Sequence, residues 1–410
     1  MQADLYILII SVVAGAYMAW NIGANDVANS MASAVGSKAI TMRQALVLAT
    51  ILTFAGATLV GSHVSETIRK GIVYSDTIGN HRVVVLGLLS ALISASLWVC
   101  LSTYKSLPVS TTHSIVGAMI GFGLVAGGPS AVNWRQVSVI VTSWVLSPLL
   151  SALCGFLMFR AIDKMILSRM DTVTGAERTT PVLVALTIYI MTLSLFLDTP
   201  LGKKLGLATF HACLMSLGVA VTVYLALRVI LRALFRRHRP AVAEEIFRYL
   251  QVMTSCYVAF GNGANDVANA MGPLAGVYYV ATTGSLAEKA PVPVWMLAFG
   301  GMMICVGIST WGYRVIETMG SKITELTCIR GFTVEFSAAT MILVASMMGL
   351  PVSTTHAAVG AYVGVGLARG LQGLLDLGVL WRILLYWVIT VPVAAVTCAV
   401  IFFVLAAIFQ

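Results

Sequence analysis

The heptapeptide GANDVAN occurs twice in the chain, at 23–29 and 263–269, and each copy interrupts an apolar run. Read as a helix, its polar side chains share one face, because they are spaced three and four residues apart. Carboxylate and amide oxygens, together with carbonyls freed where the glycine lets the backbone open, suit sodium better than a transition metal. We therefore predict cation binding, with sodium at the two aspartates, by Gly23, Asp26, Asn29, Gly263, Asp266 and Asn269.

The polar residues of this motif also have a simpler interpretation. Amides often hydrogen-bond membrane helices to one another, and this alternative stays open for Asn25 and Asn265. The aspartates fit it less well, because a carboxylate in an apolar segment is unfavourable and usually marks an ion or substrate path.

A second duplicated motif, LPVSTTH, lies at 107–113 and 350–356. Its proline suits a helix start, its serine and threonines can cap the first amides, and free N–H groups at a helix N-terminus attract anions. Two copies facing each other offer enough hydroxyls to surround a tetrahedral oxyanion. The predicted anion ligands are Ser110, Thr111, Thr112, Ser353, Thr354 and Thr355.

The second motif also has other interpretations. Each hydroxyl can instead bond back to its own helix, and the GxxxG spacings that follow indicate close helix packing. His113 and His356 suggest a hydrolase triad, but each lies three residues after its serine without the sharp turn of a nucleophile elbow. We expect packing or indirect hydrogen bonding from these histidines, and no enzymatic activity.

The two motifs recur in the same order, at offsets of 240 and 243 residues, and 13 of 18 positions are identical between 107–124 and 350–367. The chain is therefore divided into a first repeat over 1–160, a central region over 161–244 and a second repeat over 245–410. Internal duplication with interrupted helices at matching places is typical of secondary transporters, in which the substrate lies where the repeats meet.

The composition places these repeats in a membrane. The chain has 410 residues, of which 59% are hydrophobic and 10% charged, whereas soluble domains carry about 25% charged residues. Its charge-free windows predict an all-α polytopic protein with ten to twelve membrane elements. Two windows, 106–134 and 336–368, are long enough either for more than one crossing or for one crossing plus a re-entrant hairpin.

Charge and cysteine usage exclude several function classes. The net charge is +9, and the densest basic run, at 228–240, adjoins an apolar segment. This run is expected in a cytoplasmic loop beside the lipid head groups, not at a nucleic-acid site. The seven cysteines are scattered singly, which argues against a disulfide framework or a metal cluster. The N-terminus lacks the features of a cleaved signal, so we expect the first span to be retained.

The two motifs together predict coupling between a cation and an anion. Two like charges about 6 Å apart repel by roughly 3 kcal/mol even at an effective dielectric of about 20, so the aspartates alone would oppose a bound anion. Bound sodium ions reverse this effect, and each ligand then favours the other. Protons could neutralise the carboxylates instead, and this alternative stays open.

The two duplicated motifs, together with GFTVEFSAA at 331–339, resemble the inorganic phosphate transporter (PiT) family of cation-coupled phosphate symporters. The resemblance implies a twelve-helix fold of inverted repeats with two re-entrant hairpins. It also implies phosphate as the oxyanion, Asp26 and Asp266 as essential residues, and Asn25 and Asn265 beside the phosphate.

The same resemblance points to glutamates that take part in coupling. Glu335 matches a family glutamate implicated in transport, but the position of its first-repeat counterpart is occupied by Thr53, which puts a symmetric role in doubt. Glu66 and Glu317 are weaker candidates for handling the cation.

The sequence thus predicts a plasma-membrane symporter that moves inorganic phosphate with sodium by alternating access, without a cofactor. Proton coupling, a sulfate permease, a passive anion channel, or a membrane enzyme or receptor without transport remain the alternatives. A homodimer is one of the open oligomeric states.

Overall fold

The structure is a computed structural model, and it describes residues 2–62, 64–65, 71–167, 172–198, 208–237, 241–283, 292–322, 327–369 and 377–409. These residues form helices joined by short connections, with one isolated bridge between Val73 and Val132. The helices of nine or more residues are α1 Gln2–Asp26, α2 Ala28–Gly36, α3 Met42–Val60, α4 His81–Tyr104, α5 Thr111–Gly127, α6 Trp134–Ile162, α7 Thr172–Asp198, α8 Thr209–Arg237, α9 Ala241–Thr283, α10 Val294–Lys322, α11 Cys328–Met347, α12 Thr354–Ala368 and α13 Leu377–Phe409.

Length and hydropathy confirm a multi-pass membrane protein. In the described part of the chain, nine helical segments are long and apolar enough to cross a bilayer, and α5 is a shorter apolar helix. The longest helix, α9, has 43 residues and is not among the nine. It carries the second GANDVAN copy, whose amides and carboxylate lower its hydropathy. The predicted all-helical fold class is confirmed, whereas the inverted orientation of the repeats remains a prediction.

The helices of one repeat pack against those of the other in a reciprocal way. The backbone of α1 touches α10 at Gly23, and the backbone of α9 touches α3 at Gly263. In the same way, Gly117 of α5 lies against α13, and Gly360 of α12 lies against α6. These contacts agree with close packing as the role of the GxxxG glycines, and they interlock the two halves.

The central region contributes the helix pair α7 and α8, which pack on each other. Arg232 of α8 forms an ion pair with Glu177 of α7 at 3.8 Å, and both side chains are partly exposed. Most of the predicted basic run belongs to the end of α8, while residues 238–240 lie outside the described part of the chain. Neither helix carries a residue of the two duplicated motifs.

Each repeat contains a helical hairpin, α4–α5 in the first and α11–α12 in the second. The first helix of each hairpin ends with a left-handed residue, Ser106 at φ 56° and Gly349 at φ 67°. Leu107 N then donates to Ser102 O, and Leu350 N donates to Ala345 O, both at 2.9 Å. This pattern is the Schellman ending of a helix, and it normally favours glycine at the left-handed position.

The two GANDVAN copies differ in backbone conformation. In the first copy, Val27 separates α1 from α2, although its own angles stay near the helical region. In the second copy, α9 runs through the motif without a break. The expected opening of the helix after Gly263 is therefore absent, because the motif's side chains meet their partners on neighbouring helices while the helix stays intact.

The Schellman turns lead to a stability prediction. Ser106→Gly should raise the apparent melting temperature of the purified protein, because relieving a left-handed non-glycine residue is worth about 1 kcal/mol. The matched control Ser138→Gly, on an exposed helical site of α6, should lower the melting temperature, since glycine inside a helix is unfavourable by about 1 kcal/mol. A lower melting temperature for Ser106→Gly would contradict this explanation of the turn.

Candidate functional site

The two Ser-Thr-Thr segments, residues 110–112 and 353–355, form what we call the first tip and the second tip. Ser110 and Ser353 are N-caps with extended backbones, and their hydroxyls accept from His113 N at 3.1 Å and from His356 N at 3.2 Å. All six residues of the tips are buried. The predicted anion ligands therefore lie at two capped helix N-termini in the protein interior.

The amides of GANDVAN connect each repeat to the tip of the other. Asn29 Nδ2 donates to the hydroxyls of Thr354 at 3.2 Å and Thr355 at 3.0 Å. Asn269 Nδ2 donates to those of Thr111 and Thr112, both at 3.2 Å. The two predicted motifs thus meet in one site, and each half of that site is built from both repeats.

The tips also contact each other directly. Thr112 Oγ1 donates to Val352 O at 3.1 Å, and Thr355 Oγ1 donates to Val109 O at 3.4 Å. These two hydrogen bonds cross between the hairpins in opposite directions. The second threonine of each tip therefore points its hydroxyl proton into the region between the tips.

Asn25 and Asn265 hold the hairpins of their own repeats. Asn25 Nδ2 donates to Thr103 Oγ1 at 2.9 Å and Leu107 O at 3.1 Å, and its Oδ1 accepts from Val109 N at 3.2 Å. Asn265 Nδ2 donates to Ser346 Oγ at 3.3 Å and Leu350 O at 3.4 Å. These contacts fit the alternative in which the two amides hold membrane helices together. Direct contact of Asn25 and Asn265 with phosphate remains a prediction.

Each motif aspartate has one oxygen engaged and one without a partner among the described residues. Thr111 Oγ1 donates to Asp26 Oδ2 at 2.8 Å, and Thr354 Oγ1 donates to Asp266 Oδ2 at 3.4 Å. Asp26 is 4% exposed and Asp266 is 2% exposed. The buried oxygens that lack a hydrogen-bond partner there include Asp26 Oδ1, Asn29 Oδ1, Asp266 Oδ1 and Asn269 Oδ1.

Four such oxygens have the chemistry of a cation site. A buried polar atom without a partner is unfavourable by about 1–3 kcal/mol, and by more when it is charged. Carboxylate and amide oxygens are hard ligands, which suit sodium. In the described residues no group of three or more histidine, cysteine, aspartate or glutamate side chains is placed to hold a metal.

The two glycines of the motif act through packing. A Cβ at Gly23 would overlap the carbonyl oxygen of Ile304, and one at Gly263 would overlap that of Thr53. Thr53, the predicted first-repeat counterpart of Glu335, donates its hydroxyl to Ala259 O at 3.2 Å; it lies on α3, whereas the helix that matches α11 of Glu335 is α4. The structure thus gives both glycines a close helix contact, while cation binding by their carbonyls remains a prediction.

Glu335 lies in a separate buried polar cluster between α2, α9 and α11. Its carboxylate accepts from Ser33 Oγ, from Thr254 Oγ1 at 3.0 Å and from Ser255 Oγ at 2.7 Å. Both of its oxygens are therefore engaged, unlike those of the motif aspartates. Glu317 lies exposed on α10, and Glu66 is outside the described residues.

Asn262 is a residue of this site that the two motifs did not indicate. Asn262 Nδ2 donates to Asp26 O at 3.3 Å, its Oδ1 has no partner among the described residues, and the side chain is 4% exposed. Its counterpart in the first repeat is Ile22, so comparison of the repeats gave no signal. Its position next to Gly263 was the available clue.

Comparison with known proteins places this chain in a family. The model of the phosphate transporter family matches residues 22–398. The chain belongs to the phosphate transporter family. This membership confirms the resemblance stated from the motifs, and the family and the fold are those of transporters.

Relatives and a solved structure agree over nearly the whole chain. A Thermococcus kodakarensis protein named "Putative phosphate permease" is 47% identical over 96% of this chain and 97% of its own length. The Arabidopsis thaliana protein "Inorganic phosphate transporter 2-1, chloroplastic" is 40% identical over 95% of this chain and 70% of its own. A solved structure described as "The sodium-dependent phosphate transporter" superposes with a TM-score of 0.92 at 44% identity, covering 98% of this chain and 100% of the other.

The glycine contacts lead to a prediction about assembly of the site. Gly23→Ala should reduce the yield of folded protein and lower its melting temperature, because the new methyl group forces α1 away from α10 at a cost of about 1–3 kcal/mol. The matched control is Gly218→Ala on α8, where an added Cβ meets no atom within 4 Å. This control should melt no lower than the unsubstituted protein, and equal melting of the two variants would contradict the packing role.

Proposed function

We propose that the protein moves inorganic phosphate together with sodium ions across the membrane, by alternating access between the two repeats. The observation that supports this proposal most is that each GANDVAN copy contacts the tip of the other repeat. The amides of each GANDVAN copy bind the tip hydroxyls of the other repeat, next to aspartates that keep one buried oxygen unpartnered.

The two tips are the proposed phosphate site. The hydroxyls of Thr112 and Thr355 now donate to Val352 O and Val109 O, and rotation about the Cβ–Oγ bond would redirect their protons to a bound oxyanion. Capped helix N-termini favour negative charge through their dipoles and free amides. Since neither motif contains lysine or arginine, the anion would be held by neutral donors, which favours release after transport.

The unpartnered oxygens are the proposed sodium sites. Asp26 Oδ1 and Asn29 Oδ1 belong to the first copy, and Asp266 Oδ1 and Asn269 Oδ1 to the second. A sodium ion at each aspartate would supply the missing partner and offset the carboxylate charge. The sodium-dependent phosphate transporter of similar structure supports sodium over protons as the coupling ion.

The first threonine of each tip connects the two kinds of site. Thr111 Oγ1 donates to Asp26 Oδ2 and accepts from Asn269 Nδ2, so it contacts the cation motifs of both repeats. Without sodium, the carboxylates would repel phosphate by roughly 3 kcal/mol at about 6 Å and a dielectric of about 20. With sodium bound, each ligand would raise the affinity for the other.

The remaining assignments are part of the same proposal. Glu335 joins helices of both repeats through Ser33, Thr254 and Ser255, so it is a candidate for transmitting the change of state. We place the protein in the plasma membrane, although an Arabidopsis relative is chloroplastic by name. A homodimer remains a prediction.

Uptake into proteoliposomes tests the proposal directly. Purified protein should accumulate labelled phosphate uphill when an inward sodium gradient is imposed, because sodium moving down its gradient supplies the driving force. Uptake driven by a pH gradient alone would support proton coupling instead. Equilibration without accumulation would indicate a channel, and preferential competition by sulfate would indicate a sulfate permease.

Variants in the same assay test the site residues. Asp26→Asn and Thr111→Ala should each reduce phosphate uptake at least about tenfold, a loss of roughly 1.4 kcal/mol or more of transition-state stabilisation. Thr111→Ser, which keeps the hydroxyl, should retain uptake, and Asp163→Asn, at the half-buried end of α6, is the control for charge removal. Normal uptake by both site variants would overturn the site assignment.

A further inference from the structure

The two histidines that follow the tips contact each other between the repeats. The rings of His113 and His356 meet edge to face with centroids 4.3 Å apart. The side chains are 4% and 3% exposed. Because both residues occupy the first turn of their helices, this contact joins α5 to α12 immediately behind the two tips.

Two tryptophans at matching positions of α6 and α13 hold these imidazoles. The ring centroids of His113 and Trp144 are 3.7 Å apart, and those of the stacked rings of His356 and Trp387 are 3.4 Å apart. The hydrogen bonds run crosswise, since His113 Nδ1 is 3.4 Å from Trp387 O and His356 Nδ1 is 3.2 Å from Trp144 O. A carbonyl oxygen only accepts, so each Nδ1 carries the proton.

The four residues His113, Trp144, His356 and Trp387, which we call the His–Trp cluster, are tied to the tips. The backbone N–H groups of the histidines donate to the capping serines. Trp144 Nε1 also donates to Pro351 O at 3.4 Å, at the entry of the second tip. The backbone of each histidine therefore links the cluster to the capping serine of its own tip.

The cluster also borders an apolar cavity of about 600 Å³, which Val145 and Val388 line as well. Both valines are largely exposed, at 57% and 72%. The cavity therefore opens towards the outer surface of the described residues, while the imidazoles of His113 and His356 themselves stay buried.

We propose that the His–Trp cluster fixes the distance between the two tips and thereby sets the size of the oxyanion that they accept. This inference rests on the proposed function, because it assigns the tips to the transported anion. The four side chains are positioning residues, since they act through the tips. The oxygen–oxygen distance of a hydroxyl hydrogen bond is about 2.7–2.8 Å. A small change in the separation of the tips therefore alters which tetrahedral anion fits between them.

Phosphate and arsenate, a larger tetrahedral oxyanion of equal charge, are the probes. In sodium-driven uptake, His356→Ala should raise the KM for phosphate about tenfold, because it removes the ring contacts with Trp387 and His113. It should also reduce discrimination against arsenate about threefold or more, measured as the ratio of the arsenate inhibition constant to the phosphate KM. His356→Phe, which keeps a ring against Trp387, should restore most of that ratio.

Controls separate this role from simple loss of stability. His211→Ala, at an exposed site of α8, should change neither the KM nor the ratio. If His356→Ala does not fold, Trp387→Leu carries the same prediction, because it removes the stacked ring and leaves the carbonyl in place. An unchanged arsenate-to-phosphate ratio in the folded variant overturns the role of the cluster, whereas absence of uptake by the unsubstituted protein overturns the proposed function itself.

Discussion

The buried carboxylates of Asp26 and Asp266 are the constraint on which the rest of the structure depends. Each carboxylate accepts a hydrogen bond at one oxygen from a threonine in the hairpin of the same repeat. Its other oxygen has no partner among the described residues. An uncompensated carboxylate in an apolar interior is very unfavourable. The capped tips, the crossed asparagines and the close helix contacts surround these free oxygens, which a cation would satisfy in the proposed function.

Close contact between the repeats joins the two halves of the site. Asn29 and Asn269 reach threonines of the opposite repeat, so the proposed cation and anion sites share one framework of side chains. Helices meet backbone to backbone at Gly23 and Gly263, which leaves little room for a side chain to adjust alone. A ligand that changes one tip would therefore act on the other repeat as well, as the proposed alternating access requires.

The sequence predicted the membrane fold and the pairing of the two motifs, because apolar length and duplication leave direct signals in the residues. It did not predict that Asn29 binds the second tip and Asn269 the first, since this depends on how the repeats interlock. The helix is continuous through Gly263, whereas the sequence predicted that it would open there. A glycine in the sequence does not reveal which neighbouring helices will pack against it. Asn262 was missed because Ile22 occupies the matching position of the first repeat.

The central claim is that sodium at the aspartates and phosphate at the tips stabilise each other. Calorimetric titration of the purified protein with phosphate, in sodium and in choline buffer, tests it most directly. The phosphate Kd should be at least about tenfold lower in saturating sodium, and by linkage phosphate should lower the product of the two sodium Kd values by the same factor. An equal phosphate Kd in both buffers would contradict the account.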